Sequence, residues 1–495
     1  MNEIRKSISE DFDVCLINPP LDKKTTSKFP MSGVPLGIAS LAAYLKNNKI
    51  KVSAIDAVIK EYDVSQTAIT ATKTGAQIIG ISCLTENRYA ALKTLKAIKK
   101  INPKITTIIG GLHATFSDEL ILKNYPFVDI VVRGEGEETL LELVNILKSK
   151  KSIDKVLGIS FKKEEKIKIN PSRPFLKEIE SLPFPAYELF PMKDYKLPPD
   201  VKIKVNQTSL VTTSRGCPMG CKFCETTHAW GKNIRSTSAE KLFDIVKHLY
   251  EKYNIDYIRF ADDLFTMKRD KVMKFCELLI NSKLPIKFRI QARVDTVDIE
   301  ELKLLKKAGC NLVEYGAESG SNEVLKEIGK NITIDKIKHA VKITREAGID
   351  VKYFLIVGLL KEGPEETWET FKLIKDTKPD WIGINALTIY PGTEVYNIAK
   401  KEGLINDDLW VNYVNPKTGN APLYTKNYDS KEMIFLAQLG HVWSCRNSPK
   451  RKEYPLIEKI LAFFLTEHFA NALVRNRFLR KSAANLAWIF SPLLS

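Results

Sequence analysis

Short runs of consecutive apolar residues alternate with longer stretches of helical spacing over the first 150 residues of the chain. The apolar runs favour buried strands, and the stretches between them place apolar side chains on one helix face. Strands that alternate with helices are typical of a parallel sheet covered on both faces. The pattern predicts an α/β fold that begins with a doubly wound domain at residues 1–150. Its predicted strands are DVCLINPP, KVSAIDA, AQIIGISC, TTIIGG and VDIVVRGEG.

A second alternation begins near Ser209 and continues to about residue 428. Six apolar runs and five helical stretches follow one another without hairpin turns, which favours parallel strands joined by helices. This order predicts a partial (β/α)6 barrel at residues 205–428, with its active face at the carboxyl ends of the strands. The predicted helices are 239–253, 269–281, 300–308, 334–347 and 365–375.

Two further regions lack this alternation. Residues 151–204 combine one short β-rich stretch with prolines at 183, 185 and 191. Because proline stops helices and favours extended chain, we expect a linker or docking strap there. Residues 429–495 continue as helical patterns rich in aromatic residues and arginine, so we expect a helical carboxyl-terminal extension.

The composition fits several folded domains and excludes a disordered chain. The 495 residues are 44% hydrophobic, and 76 Lys and Arg against 59 Asp and Glu give a formal charge of +17. Much of this charge lies in lysine clusters such as residues 162–168, which a solvated face explains, and we do not expect a nucleic-acid partner. No apolar run reaches the ~18 residues of a membrane span. The amino terminus does not resemble a signal peptide, so we expect a cytoplasmic protein.

Three of the eight cysteines lie within eight residues, in the loop after the first strand of the second domain. The spacing, Cys217-Pro-Met-Gly-Cys221-Lys-Phe-Cys224, is that of metal ligands rather than of a disulfide framework. Three thiolates can hold an iron–sulfur cubane and leave its fourth iron without a protein ligand. A structural zinc site is the alternative, but it needs a fourth ligand, for which His228 is the local candidate.

This loop resembles the signature of the radical S-adenosylmethionine superfamily, CxxxCxxC with an aromatic residue before the last cysteine, here Phe223. The resemblance implies a 4Fe-4S cluster whose open iron binds S-adenosylmethionine and cleaves it to a 5′-deoxyadenosyl radical. It also implies contacts to the amino group, carboxylate, ribose and adenine of S-adenosylmethionine. In chain order the implied residues are Asp262, Asp263, Arg293, Glu318, Ser319 and Gly358.

Several of these contacts have a structural alternative. Asp262 and Asp263 could cap the following helix, and Arg293 could form a salt bridge at the rim of the barrel. The fifth strand, FLIVGLLKE, matches the family's GxIxGxxE pattern only in part, because Lys361 occupies the position of the acid. The sequence therefore supports the adenine contact at Gly358 less than the others.

The first domain resembles the cobalamin-binding domain of the cobalamin-dependent radical enzymes. Glycines lie where its predicted strands end, and they let a corrin ring and its nucleotide tail approach the backbone. Residues 18–33 lack the cobalt-ligating histidine of a DxHxxG loop, and a flavodoxin-like domain with a nucleotide or no ligand is the alternative. The resemblance implies cobalamin contacts at Leu36, Gly37, Ser82, Thr85, Gly110, Gly111, His113, Gly134, Glu135 and Gly136.

Together the two resemblances imply an enzyme that uses the cluster, S-adenosylmethionine and cobalamin to methylate an unactivated carbon of a small molecule, lipid or natural product. Cyclisation, rearrangement or oxidoreduction with the same cofactors is the alternative. A transfer-RNA methylthiotransferase or a non-catalytic metal-binding module explains less of the sequence. A flavodoxin or ferredoxin would donate the electron. From Pro455 onward a basic amphipathic sequence could lie on the inner face of a membrane or cap the barrel.

Overall fold

The computed structural model of the chain describes residues 12–21, 33–197, 203–411, 425 and 427–494. Within these ranges the chain forms one sheet of seven strands, another of six, and a group of helices after them. The predicted α/β class, with a doubly wound first sheet, a partial barrel and a helical extension, is confirmed.

Seven strands form the first sheet: β1 (Val14–Asn18), β2 (Val52–Asp56), β3 (Ile78–Ser82), β4 (Thr106–Gly110), β5 (Ile130–Val132), β6 (Ile159–Lys163) and β7 (Lys166–Ile169). Their order is β2-β1-β3-β4-β5-β6-β7, and the first five run parallel. Strand order reverses between β1 and β3, which opens a crevice at the carboxyl ends of the strands. Such a crevice is where open α/β sheets bind ligands.

Helices cover both faces of this sheet. Successive side chains of a strand point to opposite sides, and apolar residues on both sides must be buried. Leu16 of β1 lies in one core cluster and Ile17 in the other. The helix α2 begins with a capping box in which Asp63 and Gln66 each accept a hydrogen bond from the other's backbone. The helices are α1 (Leu36–Asn47), α2 (Val64–Lys73), α3 (Arg88–Ile101), α4 (Leu112–Phe116), α5 (Asp118–Asn124) and α6 (Glu137–Lys148).

The segment predicted as a linker contributes to the first sheet. β6 pairs antiparallel with β5, and β7 with β6, so the sheet continues past residue 150. The strap after these strands joins the two sheets: the Tyr195 hydroxyl donates to Asp56 at the end of β2 (2.8 Å), and Gln207 donates to the Met192 and Tyr195 carbonyls. The division of the chain into functional domains stays a prediction.

The second sheet is an open barrel of six parallel strands. They are β8 (Thr208–Val211), β11 (Tyr257–Phe260), β12 (Lys287–Ala292), β13 (Cys310–Glu318), β14 (Asp350–Val357) and β15 (Trp381–Ala386). They lie side by side in chain order, as expected when a helix follows each strand. Between β8 and β11, a short antiparallel ladder of β9 (Ser214–Arg215) and β10 (Arg235–Ser236), which the sequence did not predict, brackets the cysteine loop.

The five helices predicted within the barrel lie within two residues of their predicted ends. Polar side chains fix three of their starts, since Ser238, Asp298 and Thr333 each accept a hydrogen bond from a backbone amide of the first turn. The helices of this region are α7 (Thr226–Trp230), α8 (Ala239–Tyr253), α9 (Arg269–Ser282), α10 (Ile299–Ala308), α11 (Asn322–Glu327), α12 (Ile334–Glu346), α13 (Pro364–Thr377), α14 (Glu394–Lys401) and α15 (Asp408–Val411).

Four helices complete the described chain: α16 (Ser430–Asn447), α17 (Leu456–Phe464), α18 (Glu467–Arg475) and α19 (Arg477–Leu494). α16 packs against β15, β14 and α13, and the indole of Trp443 donates to the Phe371 carbonyl (2.8 Å). α19 packs on α16 through a buried ion pair between Arg480 and Glu432 (2.9 Å). Within the described ranges, no helix is both long enough and apolar enough to cross a membrane.

Candidate active site

The cysteine loop lies between β9 and α7, at the carboxyl ends of the barrel strands. Cys217 is buried, and Cys221 and Cys224 are half-buried. The loop is held in place by its own neighbours: the Cys217 amide donates to the Gly231 carbonyl (3.1 Å), and the Thr227 hydroxyl donates to the Met219 carbonyl (2.6 Å). Its shape therefore depends on backbone contacts as well as on any bound metal.

A second contact fixes the loop from the opposite side. The Lys222 amide donates to the Ile328 carbonyl (2.9 Å), and the Val395 amide donates to the Lys222 carbonyl (3.0 Å). Gly329 has a φ of +70°, and a Cβ at this position would lie 2.7 Å from the Gly220 carbonyl oxygen. Only glycine combines this conformation with so close an approach.

Burial raises the pKa of all three thiols, that of Cys221 to about 11. Without metal the thiols are therefore protonated, and metal binding must release their protons. Among the described residues, no group of three or more His, Cys, Asp or Glu side chains converges on a single metal-ion position. Three thiols that do not meet at one ion position are still compatible with a cubane, because in a cubane each thiolate binds a different iron. The donor set fits a 4Fe-4S cluster.

Arg293 lies beside the cysteine loop, just after β12. Its Nε and Nη2 form a fork with Asp295 (2.8 and 3.0 Å), and Nη2 also donates to the Lys330 carbonyl (3.0 Å). In the described part of the chain, its Nη1 is buried without a hydrogen-bond partner. A buried guanidinium with an unused donor fits the carboxylate of S-adenosylmethionine.

Lys330 was missed by the sequence analysis. Its ammonium pairs with the carboxylate of Glu318 (2.8 Å), and both side chains are buried. Although burial alone would lower the pKa of Lys330, Glu318 and the neighbouring Cys221 raise it, so the lysine is charged. Gly316 makes room for the pair, since a Cβ there would lie 2.6 Å from Glu318 Oε1 and 2.7 Å from Lys330 Nζ.

The two acids after β11 have different surroundings. The carboxylate of Asp262 is buried and accepts from the Thr213 amide (2.9 Å) and the Ser214 hydroxyl, so it fastens the end of β8. Its Oδ2 has no partner within the described ranges. The side chain of Asp263 is exposed, and its charge acts on the thiols of Cys217 and Cys224. Desolvation and the charge of Asp262 raise the pKa of Asp263 to about 6.

Two other residues that were predicted to contact S-adenosylmethionine pack against side chains of the protein itself. The side chain of Ser319 is fully buried, with its Oγ 3.4 Å from Thr370 Oγ1 on α13, so a ligand contact from this position would use its backbone. Gly358 has a φ of +89° and lies against Met433 of α16. Phe223 is half-buried against the core beside the cysteines.

Lys361 occupies the position of the family's acid, and the next residue, Glu362, is acidic. Lys361 has a φ of +59° and pairs with Glu327 (2.9 Å). Glu362 is fully buried, and its Oε2 accepts from the Gly358 amide (2.5 Å) and the Leu359 amide (3.0 Å). Burial raises the pKa of Glu362 to about 8, and its carboxyl group closes the turn after β14.

Replacing Glu362 with alanine is expected to lower the free energy of unfolding by about 2–3 kcal/mol, because two buried amides lose their acceptor. The matched control is Lys361→Ala, which breaks only an exposed ion pair and should have little effect on stability. Urea unfolding of both variants gives the comparison. Equal losses in the two variants would show that Glu362 does not fasten the turn.

A cavity of about 150 Å³, open to solvent on one side, lies at the carboxyl ends of β1, β3, β4 and β5. Six of the predicted cobalamin contacts line it: Gly37, Ser82, Gly110, Gly111, Gly134 and Gly136. A Cβ at Gly37 or Gly134 would have no atom within 4 Å, so the backbone there faces open space. A glycine-lined cavity of this kind fits part of a large flat cofactor or its nucleotide tail.

The other predicted cobalamin contacts do not line this cavity: Leu36, Thr85, His113 and Glu135. His113 is buried, with its Nδ1 3.1 Å from Thr85 Oγ1 and its ring edge-on to Trp410. Burial and then Arg88 lower the pKa of His113 to about 3, so the imidazole is neutral. In the segment 18–33, which lacks the cobalt-ligating histidine, residues 22–32 lie outside the described ranges.

Glu135 belongs to an ion-pair network that joins the two sheets. Its carboxylate accepts from Arg215 (3.0 Å) and Arg235 (2.8 and 2.9 Å), and Arg215 also pairs with Glu137 (2.5 Å). The acid side chains are 5% exposed and Arg215 is 15% exposed. Arg215 lies over the ring of Trp230. Since Arg215 and Trp230 flank the cysteine loop and also line the cavity, the two sites share a wall.

Comparison with known families and proteins agrees with this arrangement. The family model of the B12 binding domain matches residues 23–144, and that of the Radical SAM superfamily matches residues 211–374. The chain is 32% identical over 429 residues to the uncharacterized methyltransferase PH0819 of Pyrococcus horikoshii, covering 87% of this chain and 91% of the relative. It is 29% identical to the anaerobic magnesium-protoporphyrin IX monomethyl ester cyclase of Rubrivivax gelatinosus, covering 77% and 69%.

A solved structure supports the fold. The cobalamin-dependent S-adenosylmethionine radical enzyme OxsB, determined with aqua-cobalamin and S-adenosylmethionine bound, superposes with a TM-score of 0.72 at 21% identity. The superposition covers 98% of this chain and 76% of OxsB. The order of a cobalamin-type domain, a partial barrel and a helical region is therefore common to both proteins.

Proposed function

The chain belongs to the cobalamin-dependent radical S-adenosylmethionine enzymes, and on that premise we propose that it methylates an unactivated carbon of a small-molecule substrate. The observation that carries this proposal is the shared wall of the two sites. Arg215 and Trp230 flank the cysteine loop and line the glycine-rich cavity of the first sheet. A substrate held between the sites would be within reach of both cofactors.

In this proposal Cys217, Cys221 and Cys224 hold the 4Fe-4S cluster, and the first-sheet cavity holds part of the cobalamin. When bound, the cluster and S-adenosylmethionine supply an adenosyl radical that removes a hydrogen atom, and methylcobalamin supplies the methyl group. Arg293 orients the carboxylate of S-adenosylmethionine through its unpaired Nη1. Asp263, near the cysteines, receives the amino group, for which it must be ionised, as it is above its pKa of about 6.

The buried Glu318–Lys330 pair would support these contacts without touching the reacting atoms. The ammonium of Lys330 lies close enough to Cys221 to lower the thiol pKa, which opposes the effect of burial. A fixed positive charge here also stabilises the negative charge that three thiolates bring to a cluster. Lys330 is therefore a positioning and charge-balancing residue in this proposal.

The remaining components are proposed from the chemistry of the cofactors. The reaction needs one electron for each S-adenosylmethionine cleaved, which a flavodoxin or ferredoxin would donate. A thiolate-ligated cluster needs a reducing compartment, so we place the enzyme in the cytoplasm. A peripheral contact with a membrane, made by the helices after Pro455, is also part of the proposal.

Product analysis of S-adenosylmethionine tests the proposed reaction. The enzyme would be purified without oxygen, reconstituted with iron, sulfide and cobalamin, and supplied with methyl-deuterated S-adenosylmethionine, a reductant and candidate small molecules or lipids. Methylation consumes two S-adenosylmethionine molecules for each product. We expect equal amounts of 5′-deoxyadenosine and S-adenosylhomocysteine, with deuterium in the product.

A second candidate function is cyclisation or rearrangement, which the similarity to the Rubrivivax gelatinosus cyclase favours. It would release 5′-deoxyadenosine with cobalamin bound but transfer no deuterium. Zinc in place of iron after reconstitution would contradict both functions.

A further inference from the structure

Helix α17 turns an apolar stripe toward solvent. Leu456, Ile457, Ile460, Leu461 and Phe464 are 42–70% exposed. Their spacing of i, i+1, i+4, i+5 and i+8 places them on one face of the helix. A surface helix of a globular domain normally presents polar or charged residues on its outer face. The outer face of α17 presents apolar residues instead.

The exposed apolar side chains continue into the next two helices. Phe463, Phe469, Phe478, Leu479 and Leu486 are 38–78% exposed, and the turns that join α17, α18 and α19 contain two residues or fewer. Of the eighteen large hydrophobic side chains exposed among the described residues, ten lie between positions 456 and 486. This concentration defines one region, called here the apolar surface of α17–α19.

The inner faces of the same helices are packed. Ala462 of α17 and Leu473 and Val474 of α18 are buried, and Arg446 of α16 donates to the Ala462 carbonyl (3.0 Å). The sequence analysis offered a helical cap and a lipid-binding helix as alternatives. The structure is compatible with both alternatives. The inner faces of these helices pack on the rest of the protein, and their outer faces are exposed to solvent in the described part of the chain.

Positive charge surrounds the apolar surface. Residues 451–487 contain seven Lys and Arg against three Glu. Lys452, Arg477 and Lys481 are exposed and form no ion pair within the ranges that the structure describes. Exposed apolar side chains beside unpaired cations match the chemistry of a membrane surface with anionic headgroups.

We propose that the apolar surface of α17–α19 docks on an anionic membrane surface, with its aromatic and aliphatic side chains in the interface and Arg477 and Lys481 on the headgroups. This deepens the membrane contact included in the proposed function, but it does not depend on the reaction that the enzyme performs.

A second copy of the chain fits this surface less well. Two copies related by a two-fold axis would bring the same patch of each together, and with it two sets of unpaired cations. Like charges at an interface oppose association, whereas an anionic bilayer neutralises them. The charge of the surface therefore favours lipid.

Vesicle co-sedimentation of the full chain tests the proposal. The probes are vesicles of phosphatidylcholine alone and of phosphatidylcholine with about 30% phosphatidylglycerol, at low and high salt. We expect binding to the anionic vesicles only, and a decrease of at least tenfold in the variant Phe463→Ser/Phe464→Ser. The control is Ile69→Ser/Ile101→Ser, which removes two exposed apolar residues, 44% and 50% exposed, from the first domain and should change binding less than twofold. Arg477→Gln/Lys481→Gln should weaken binding and reduce its salt dependence.

Three outcomes would overturn the proposal: no binding to anionic vesicles, equal binding by the phenylalanine variant and its control, or a dimer that the phenylalanine variant abolishes. Circular dichroism and iron content of each variant show that loss of binding is not loss of folding. Release of 5′-deoxyadenosine with dithionite as reductant is measured without vesicles. Failure of the proposed reaction is thereby separated from failure of membrane docking.

Discussion

Replacing Cys221 with alanine is expected to reduce bound iron from about four per chain to a small fraction and to abolish the release of 5′-deoxyadenosine. Each thiolate of a cubane ligates its own iron, and no other cysteine can substitute when one of three is removed. The five remaining cysteines of the chain lie outside the loop, and all five are buried. Iron analysis, the absorbance of the reconstituted protein and nucleoside chromatography measure the three effects.

A buried cysteine outside the loop supplies the control for this variant. Cys276→Ala removes a thiol from α9, where the side chain packs in the barrel core. It should lower stability slightly while iron content and cleavage stay at wild-type values. A Cys221→Ala protein that still bound four irons and cleaved S-adenosylmethionine would show that the cysteine loop is not the cluster site.

Replacing Arg215 with glutamine is expected to lower the free energy of unfolding by about 3–5 kcal/mol and to weaken cobalamin binding at least tenfold. Removing one partner of a buried ion pair leaves the other charge without compensation, and Glu137 has Arg215 as its ion-pair partner. The same change removes a side chain from the cavity wall. Denaturant unfolding and titration with aqua-cobalamin, followed by absorbance, measure the two effects separately.

Two further variants serve as comparisons for Arg215→Gln. Arg215→Gln/Glu137→Gln leaves no uncompensated carboxylate at Glu137, so it should recover part of the lost stability but not the cobalamin affinity. Lys46→Gln breaks an exposed pair between α1 and Glu188 of the strap and should cost less than about 1 kcal/mol. If Arg215→Gln destabilised the protein no more than Lys46→Gln, the network would not hold the sheets together.

Local patterns made most of the fold predictable. The helix Ala239–Tyr253 has its predicted bounds because Ser238 caps it and its apolar residues repeat on one face. β6 was recognised as β-rich but not as part of the first sheet. Its partner β5 lies about thirty residues earlier and pairs antiparallel, and no local signal specifies that pairing.

The candidate site was predictable where ligands follow one another in the sequence and not where the fold brings them together. The three cysteines form one short motif, whereas Lys330 is more than a hundred residues away from Cys224. Glu135 was assigned to cobalamin through the resemblance of residues 133–137 to the cobalamin-binding domain. Its ion pairs with Arg215 and Arg235 depend on how the two sheets meet, which neither segment encodes alone. The remaining cobalamin and S-adenosylmethionine contacts stay predictions.

The wall formed by Arg215 and Trp230 also limits how the two domains can be exchanged, in evolution and in engineered chimaeras. If the first domain were replaced by that of another protein, Arg215 and Arg235 of this barrel would lie against the new domain. The new domain would need acids at the positions of Glu135 and Glu137 to pair with them. Exchanges of one module without the other should therefore be rare, and these charged positions should change together among relatives. A chimaera that keeps both sides of the wall from one parent should fold, and one that splits the wall between parents should not hold its cobalamin.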